Sequence, residues 1–374
     1  MAPRPAASEL SSLDVANTSR RRRLRVVIRA DAGPQIGAGH LMRCLALAQA
    51  LQDRGGRARF VMSVSAEALE GRIEAEGLAA SRLSCPTASE EDLKRTIALA
   101  QEDAADWVIL DGYRFGADFQ EGIHAAGLRL MVIDDFGQAG RYAARVIVDQ
   151  NLTAREESYR HRETGAELLL GLNFALLRRE FRSWSAWTRD IPTVARRVLV
   201  TLGGATPDEG ILRCLGAIED LPDVRLAVRI VRGPLSADAG ALLRQRLEQA
   251  SPRCQVLHSV SNMAELMAWA DLAITAGGST CWELACLGLP ALILSYTRDQ
   301  ELVAQAMQSA EAAVWMGSSL SIGEEQLRAA IAELVPDVAR RRQMSQAGRR
   351  LVDGRGSERV LSALEEVMDR APTP

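Results

Sequence analysis

The stretch LAITAGGSTCWELACLGLPALIL, residues 272–294, decides the fold class. It opens with a short apolar run, which is followed by two glycines, Ser279 and Thr280. The next residues have the apolar spacing of a helix, and Gly288 and Pro290 mark the end of that helix. A second apolar run closes the stretch. This order of strand, helix and strand predicts a βαβ unit whose two strands belong to one parallel sheet.

The same alternation occurs in two blocks along the chain. Helical segments separate two groups of short apolar runs, which lie at 25–30, 59–63, 107–110, 129–133 and 146–148, and then at 197–201, 226–231, 255–257, 272–275 and 291–294. Apart from a short run at 167–170, the interval 151–195 lacks this rhythm. The predicted fold is α/β: two Rossmann-like lobes with a cleft between them.

The predicted boundaries follow from this pattern. We expect residues 1–23 to form a disordered leader, 24–190 a first lobe and 195–374 a second lobe. The last helical stretch, 358–370, can pack on either lobe. Open parallel sheets bind ligands at the carboxyl ends of their strands, so the loops that follow the strands should hold the site.

Composition and charge exclude several classes of protein. Of the 374 residues, 47% are hydrophobic and 25% are charged, as in ordinary globular proteins. The formal net charge of −3 argues against nucleic-acid binding, and no apolar run is long enough to cross a membrane. The six cysteines are scattered and no C-x-x-C pair occurs, which favours a reducing, cytoplasmic compartment over a disulfide framework. We expect a small-molecule partner, no cofactor and no metal. The oligomeric state cannot be predicted.

The loop after the first strand is rich in glycine. It runs from Asp31 through Gly37 and Gly39 to His40, and its spacing differs from the dinucleotide fingerprint G-x-G-x-x-G. Glycines permit close approach of the backbone to a ligand, and a helix start presents free N–H groups. His40 can cap its own helix or act in chemistry, and its place beside this loop favours chemistry, with Arg43 one turn further on.

Two loops of the second lobe are suited to an anion. Gly203 and Gly204 follow the strand at 197–201, and Thr206 and Pro207 come next, at a predicted helix start; a simple tight turn is the alternative. The second loop contains Gly278, Ser279 and Thr280, whose amides and hydroxyls can hold phosphate oxygens.

Three side chains further along the second lobe are candidate sugar ligands. Glu283 can accept hydrogen bonds from the two hydroxyls of a ribose, or it can cap its own helix with Ser279 or Thr280. Asp299 and Gln300 begin the next helix and should reach the sugar of the ligand.

Acidic residues follow two central strands of the first lobe. Asp111 and Tyr113 come after the strand at 107–110, and Asp134 and Asp135 come after the strand at 129–133. Paired carboxylates can hold a metal or orient a base, and a helix cap with a solvated neighbour is the other interpretation of Asp134 and Asp135.

Several of these segments resemble one enzyme family, the UDP-2,4-diacetamido-2,4,6-trideoxy-β-L-altropyranose hydrolases of pseudaminic acid biosynthesis. The segments are IRADAGPQIGAGHLMRCLALA at 28–48, DGYR at 111–114, IDD at 133–135, GLNFALLRREF at 171–181, LGGATPD at 202–208 and AGGSTCWELACLGLP at 276–290. The last of them is also similar to the wider superfamily of two-lobed (GT-B) glycosyltransferases.

The resemblance implies a GT-B-like nucleotide-sugar fold, with the sugar and the catalytic groups in the first lobe, 24–190, and UDP held mainly by the second lobe, 195–374. It implies metal-independent hydrolysis at the anomeric carbon with inversion, in which His40 handles the attacking water and Tyr113 lines the sugar pocket. The chain departs from the family at two positions: Gly112 stands where the family carries a bulkier or polar residue, and Asp299 stands where it often carries asparagine. The identity of the sugar is therefore less well defined than the reaction.

The residues support a similar mechanism independently of the resemblance. A neutral imidazole can accept a proton from water, and glycine-rich amide loops can stabilise a departing diphosphate without a metal. A carboxylate near an oxocarbenium-like transition state would help, and Asp31 and Asp134 are the two candidates. Two alternatives stay open: a UDP-sugar glycosyltransferase of the same fold, and a nucleotide-sugar binding protein without catalytic activity.

Overall fold

The structure is a computed structural model. It describes residues 23–370 except 205–207, 220, 222–225, 237–238, 250–252 and 259. Most of the predicted leader, 1–23, lies outside this part of the chain, as do Thr206 and Pro207.

The first half of the described chain builds a seven-stranded sheet whose strands all run parallel. Its order is β3-β2-β1-β4-β5-β6-β7. The strands are β1 (Arg25–Ala30), β2 (Arg57–Met62), β3 (Ala79–Arg82), β4 (Trp107–Asp111), β5 (Leu130–Ile133), β6 (Val146–Asp149) and β7 (Glu167–Leu170).

The second half builds a six-stranded parallel sheet. Its order is β10-β9-β8-β11-β12-β13. The strands are β8 (Arg197–Thr201), β9 (Ala227–Arg232), β10 (Cys254–His258), β11 (Leu272–Ala276), β12 (Ala291–Ser295) and β13 (Val314–Ser318). The two sheets confirm the α/β class with two lobes.

Helices cover both sheets. In the first half they are α1 (Gly39–Asp53), α2 (Glu67–Ala75), α3 (Glu90–Glu102) and α4 (Ala117–Ala125), and α5 (Arg179–Arg182) lies between the sheets in sequence. In the second half they are α6 (Asp208–Glu219), α7 (Ala241–Gln249), α8 (Met263–Trp269), α9 (Thr280–Cys286), α10 (Arg298–Ser309), α11 (Glu324–Leu334), α12 (Val338–Leu351) and α13 (Gly356–Asp369).

Alternate residues of each central strand pack on opposite faces of the sheet. Val26 and Ile28 of β1 join the core under α1, whereas Val27 joins the core under α3 and α4. Because both faces are covered by helices, the strands are apolar without a polar side, which is why they appear as continuous apolar runs in the sequence. Burial on both faces fixes the strand ends, and these ends carry the site.

The last helix, α13, returns to the first lobe. Leu361 and Leu364 are fully buried in the same core as α1, and Arg54 hydrogen-bonds Ser362 and the carbonyl of Glu358. The boundary predicted at 195–374 assigns this helix to the second lobe, but the structure packs it on the first. A terminal helix with one strongly apolar face can pack on either lobe, so the sequence of α13 alone does not determine which lobe it covers.

Several elements were not predicted from the sequence, among them two edge strands and the helix α2. The edge strand β3 has the sequence AASR and is largely exposed, so it lacks an apolar run. The helix α2 precedes it and buries only Leu69 and Ile73. The edge strand β13 contains Gly317 with a φ of 105°, and its pairing with β12 shifts register at this point.

Candidate active site

One cavity of about 580 Å³ lies between the carboxyl ends of the two sheets. Its walls come from the loops after β1, β4, β5 and β6 in the first lobe and after β8, β9, β11 and β12 in the second. Most of the candidate residues line it: Gly37, Gly39, His40, Arg43, Tyr113, Gly203, Gly204, Gly278, Ser279, Thr280, Glu283, Asp299 and Gln300. Two candidates, Asp31 and Asp134, are directed elsewhere.

His40 lies in the first turn of α1 and is nearly buried, with 8% of its surface exposed. Its Nδ1 lies 2.6 Å from Oδ1 of Asp111, the last residue of the neighbouring strand β4. The residue before the helix, Ala38, makes no side-chain capping bond. His40 therefore engages a buried carboxylate and does not cap its helix.

Arg43 joins the two acidic loops of the first lobe. Its Nε and Nη2 donate to the two oxygens of Asp111, each at 2.7 Å, and its Nη1 donates to Asp135 at 2.9 Å. Burial opposes ionisation of Asp111, but Arg43 and His40 outweigh it and hold the pKa of that carboxyl well below its usual range. Burial likewise opposes ionisation of Asp135, and Arg43 lowers its pKa overall.

A second layer of hydrogen bonds holds Asp135. Asn151 donates its amide to Asp135 and to Asp149, in both cases at 2.8 Å, and Tyr159 donates to Asp149 at 2.8 Å. This chain of contacts links the ends of β4, β5 and β6. It fixes the orientation of the carboxylates that face His40 and Arg43.

Tyr113 stands against His40 at the cavity wall. The ring centroids lie 4.8 Å apart and the planes are nearly perpendicular, at 86°. Over half of Tyr113 is exposed, so its ring is available to a ligand in the cavity.

Asp31 is placed away from the cavity and serves the packing of the first lobe. Its carboxylate accepts hydrogen bonds from the Arg29 guanidinium, the Thr87 hydroxyl and the backbone amides of Ser63 and Val64. Burial opposes its ionisation, but Arg29 lowers its pKa overall. The expectation that Asp31 assists His40 finds no support in this geometry.

Asp134 is also occupied by structural partners. It accepts from Tyr142 at 2.6 Å and from the amides of Gly137 and Gln138, and burial raises its pKa. Of the two adjacent aspartates, Asp135 lines the cavity and Asp134 holds the turn after β5. Successive residues at a strand end point to opposite sides of the sheet, and the sequence does not show which side faces the cavity. It therefore could not distinguish Asp134 from Asp135.

The glycine loop of the second lobe approaches the first lobe closely. Gly203 has a φ of 99°, and a Cβ placed on Gly204 would lie 2.8 Å from the Cβ of Ala38. Glycine at 204 thus lets this loop approach the start of α1 without a clash. The predicted helix start at Thr206 and Pro207 lies outside the described residues.

The loop between β11 and α9 faces the start of α1. A Cβ on Gly39 would lie 3.8 Å from the Ser279 hydroxyl oxygen. Ser279 precedes α9 without a side-chain capping bond, and Glu283 accepts from Nη2 of Arg178 at 2.8 Å. The capping role considered for Glu283 is therefore replaced by an ion pair with Arg178.

Asp299 and Gln300 lie in the first turn of α10. Thr297 caps this helix through the amide of Gln300, and the side-chain oxygen of Gln300 accepts from the amide of Tyr296. Asp299 and Asp135 both line the cavity, and partial burial together with the negative charge of Asp135 raises the pKa of Asp299. The two lobes thus each contribute a carboxylate to the cavity wall.

Sequence reasoning missed three groups that shape this site. Asp111 and Asp135 were placed at the cleft, but their pairing with His40 and Arg43 was not foreseen. Arg178 lies in the segment ALLRREF, which carries part of the family resemblance. That resemblance marked the segment but did not single out Arg178. Asn151 lies in the interval without clear rhythm and offered no signal.

Both the sequence and the structure of the chain are similar to those of known glycosyltransferases. Residues 198–357 match the sequence model of the glycosyltransferase family 28 C-terminal domain. Solved structures of MurG from Acinetobacter baumannii and of the rhamnosyltransferase SpnG with thymidine diphosphate each superpose with a TM-score of 0.63 at 17% identity. The first match covers 92% of this chain and 99% of MurG, and the second covers 91% of this chain and 100% of SpnG. The chain has the GT-B fold.

Two curated relatives match part of the chain. The spore coat polysaccharide biosynthesis protein SpsG of Bacillus subtilis is 32% identical over 176 residues, which are 47% of this chain and 51% of that protein. The UDP-N-acetylglucosamine–N-acetylmuramyl-(pentapeptide) pyrophosphoryl-undecaprenol N-acetylglucosamine transferase of Pseudomonas paraeruginosa is 31% identical over 187 residues, 47% of this chain and 50% of the enzyme. The chain spans about half the length of these relatives. Within its described residues, no helix is both long and apolar enough to cross a bilayer.

Proposed function

We propose that the protein breaks the bond between sugar and diphosphate in a nucleotide-sugar bound in the cleft, with His40 as the base that activates the nucleophile. The observation that carries the proposal is the 2.6 Å contact between His40 Nδ1 and the ionised Asp111, across the cavity from the glycine loops of the second lobe. A buried base opposite an array of backbone amides provides both parts of such a reaction.

Asp111 determines which ring nitrogen of His40 reacts. Because the Asp111 carboxyl is ionised, it accepts the proton of Nδ1, and this leaves Nε2 with a free lone pair. Nε2 can then take the proton of a hydroxyl group as its oxygen attacks the anomeric carbon. General-base assistance of this kind typically contributes about 10²–10⁴-fold to a rate.

The second lobe is suited to the leaving diphosphate. The loops at 203–204 and 277–280 present glycines and two hydroxyls to the cavity. Amides that are already oriented stabilise developing negative charge without reorganisation. We propose that these groups perform this role without a cation, so activity should be the same with excess chelator and with added magnesium.

Transfer to a hydroxyl acceptor is the activity that the comparisons support best. The matched domain belongs to a glycosyltransferase family, and one relative is named as an N-acetylglucosamine transferase. In this proposal the nucleophile is an acceptor hydroxyl beside His40 and Tyr113. The free cysteines at all six positions suit a reducing compartment, and we place the enzyme in the cytoplasm.

Hydrolysis is the second candidate, and a specific feature favours it. The first-lobe segment at 28–48, with His40 at the helix start, resembles the hydrolases of pseudaminic acid biosynthesis. In this case water takes the place of the acceptor, and the products are UDP and free 2,4-diacetamido-2,4,6-trideoxy-L-altrose. The same base and the same amide loops serve both reactions.

A UDP-release assay on the purified protein distinguishes the candidates. The donors are UDP-N-acetylglucosamine and UDP-2,4-diacetamido-2,4,6-trideoxy-β-L-altropyranose, each with and without a mixture of hydroxyl acceptors. UDP release without acceptor identifies a hydrolase, and release that requires acceptor identifies a transferase. UDP binding without release from any donor would contradict the catalytic role of His40.

A further inference from the structure

We propose that Arg178 is a positioning residue that fixes Glu283 to receive the ribose of the nucleotide, and that it thereby selects ribonucleotides over deoxyribonucleotides. This inference rests on the proposed function, since it assigns the nucleotide to the second lobe. Arg178 lies in neither sheet: it belongs to the segment between β7 and β8 that connects the lobes.

Arg178 holds Glu283 at the cavity wall. It is 6% exposed and lines the cavity, as Glu283 does. Its Nη2 donates to Oε1 of Glu283 at 2.8 Å, and its Nη1 pairs with Oε1 of Glu180 at 3.1 Å. A guanidinium bound at two nitrogens has a defined plane, so the carboxylate it holds has a defined position as well.

Both lobes hold Arg178 through its neighbours. Glu180 accepts from the amide of Met263 at the start of α8, and its other oxygen pairs with Arg72 of α2 at 3.4 Å. The adjacent amide of Arg179 donates to Gln49 of α1. The connecting segment therefore fixes Glu283 from outside the second lobe.

Without Arg178, Glu283 has a competing position. It lies in the first turn of α9, where the amides of Cys281 and Trp282 already donate to backbone carbonyls. The hydroxyls of Ser279 and Thr280, four and three residues earlier, are the alternative donors to its carboxylate. In the structure Glu283 points to Arg178 instead, and among the described residues no hydrogen bond reaches its Oε2. This oxygen remains available for a ribose hydroxyl.

The ion pair with Glu283 and Glu180 also affects Arg178 itself. Burial disfavours the charge on Arg178, but Glu283 and Glu180 outweigh it and raise the pKa of the guanidinium. An ionised carboxylate offers only acceptor sites, which suit the hydroxyl donors of a ribose. A 2′-deoxyribose lacks one of these donors, so it should bind less tightly.

The test compares the affinities for UDP and 2′-deoxy-UDP by calorimetry. The variants are Arg178→Met, Arg178→Lys and Glu283→Ala. Arg189→Met is the matched control, because Arg189 is a buried arginine of the same segment that donates to the carbonyls of Met267, Ala270 and Leu287.

We expect the parent protein to prefer UDP by about 10- to 100-fold, the value of one hydrogen bond to a charged group. Arg178→Met and Glu283→Ala should both reduce this preference to within about threefold while 2′-deoxy-UDP still binds. Arg178→Lys keeps the charge without the two-point geometry, so an intermediate preference is expected. Arg189→Met should lower the melting temperature and leave the preference intact.

Two results would overturn the proposal in different ways. If Arg178→Met binds with the full preference of the parent, Arg178 stabilises the fold and does not position Glu283. If the parent binds neither nucleotide, the assignment of the nucleotide to the second lobe fails, and the proposed function fails with it.

Discussion

The two lobes have similar folds but build their sides of the cavity differently. The first lobe presents charged side chains that form one hydrogen-bonded chain from His40 through Asp111, Arg43 and Asp135. The second lobe presents glycines at 203, 204, 277 and 278, with two hydroxyls beside them. In both, the contributing residues follow the carboxyl ends of parallel strands, so the fold provides the location and the loop sequence provides the chemistry.

This difference suggests a division of work. A charged side chain must be desolvated, and it keeps a defined position only when each partner is satisfied, as in the first lobe. Backbone amides carry partial charges that are already oriented by the fold, which suits the binding of a diphosphate. We therefore expect variants of the first lobe to lower turnover and variants of the second to lower affinity.

The largest effect should come from His40→Asn. It removes the proton acceptor and leaves the amide loops intact, so turnover should fall by about 10²–10⁴-fold with unchanged UDP affinity. Steady-state kinetics and calorimetry measure the two quantities. The control is His124→Asn, which changes an exposed histidine of α4. Turnover close to that of the parent would show that His40 is not the base.

Asp111→Asn should have the next largest effect. The pKa of Asp111 is held below its usual range, so the carboxylate is ionised throughout an ordinary assay and keeps the proton on Nδ1. An amide loses this preference and permits the tautomer in which Nε2 carries the proton, so kcat should fall by about 10- to 1,000-fold with little change in KM.

The matched control for Asp111 is Asp103→Asn. Asp103 pairs with Arg59, and both lie outside the lining of the cavity, so kcat should be unaffected. Assays should run well below the melting temperature of each variant, because Asp111→Asn leaves Arg43 with one carboxylate fewer. Equal kcat values in the two variants would contradict a role for Asp111 beyond packing.

The sequence predicted the central parts of the fold better than its edges. Strands such as β1 and β8 are buried on both faces, and burial leaves a continuous apolar run at the predicted positions. The edge strand β3 has no buried residue, so its assignment depends on its pairing with β2, which a local sequence pattern does not contain. Tertiary packing also decides the position of α13.

For the site, the sequence predicted where the functional residues lie better than it predicted which side chains they contact. The rule that ligands bind at strand ends located His40, Tyr113 and Glu283 in one cavity. It could not separate Asp135 from Asp134, since that depends on which side of the strand end each residue faces. Nor could it pair Glu283 with Arg178, because 105 residues separate them.

Glu283→Ala should act on affinity. If Glu283 receives the ribose, its loss leaves hydroxyl donors of the ligand unpaired at about 1–3 kcal/mol, or roughly 5- to 150-fold in UDP affinity. Turnover at saturating substrate should change little. Glu301→Ala, which breaks an exposed pair with Arg298 on α10, is the control. An unchanged affinity with a lowered melting temperature would remove Glu283 from the nucleotide site.

The smallest effect is expected from Asp299→Asn. Its pH dependence tests whether a charge of the first lobe acts on a side chain of the second. Partial burial and the charge of Asp135 raise the pKa of Asp299 in the folded protein, so the fold penalises the ionised form. This free-energy penalty is fully present above the folded pKa and disappears below the unfolded value, about 3.9.

Because an asparagine side chain is uncharged, the substitution should raise the melting temperature by about 1 °C at pH 7. The gain should shrink as the pH falls towards 4. Calorimetric melts of parent and variant at both pH values measure it. An increase in melting temperature of the same size at both pH values would contradict this prediction. It would show that the charge of Asp135, in the first lobe, has no effect on the ionisation of Asp299 in the second.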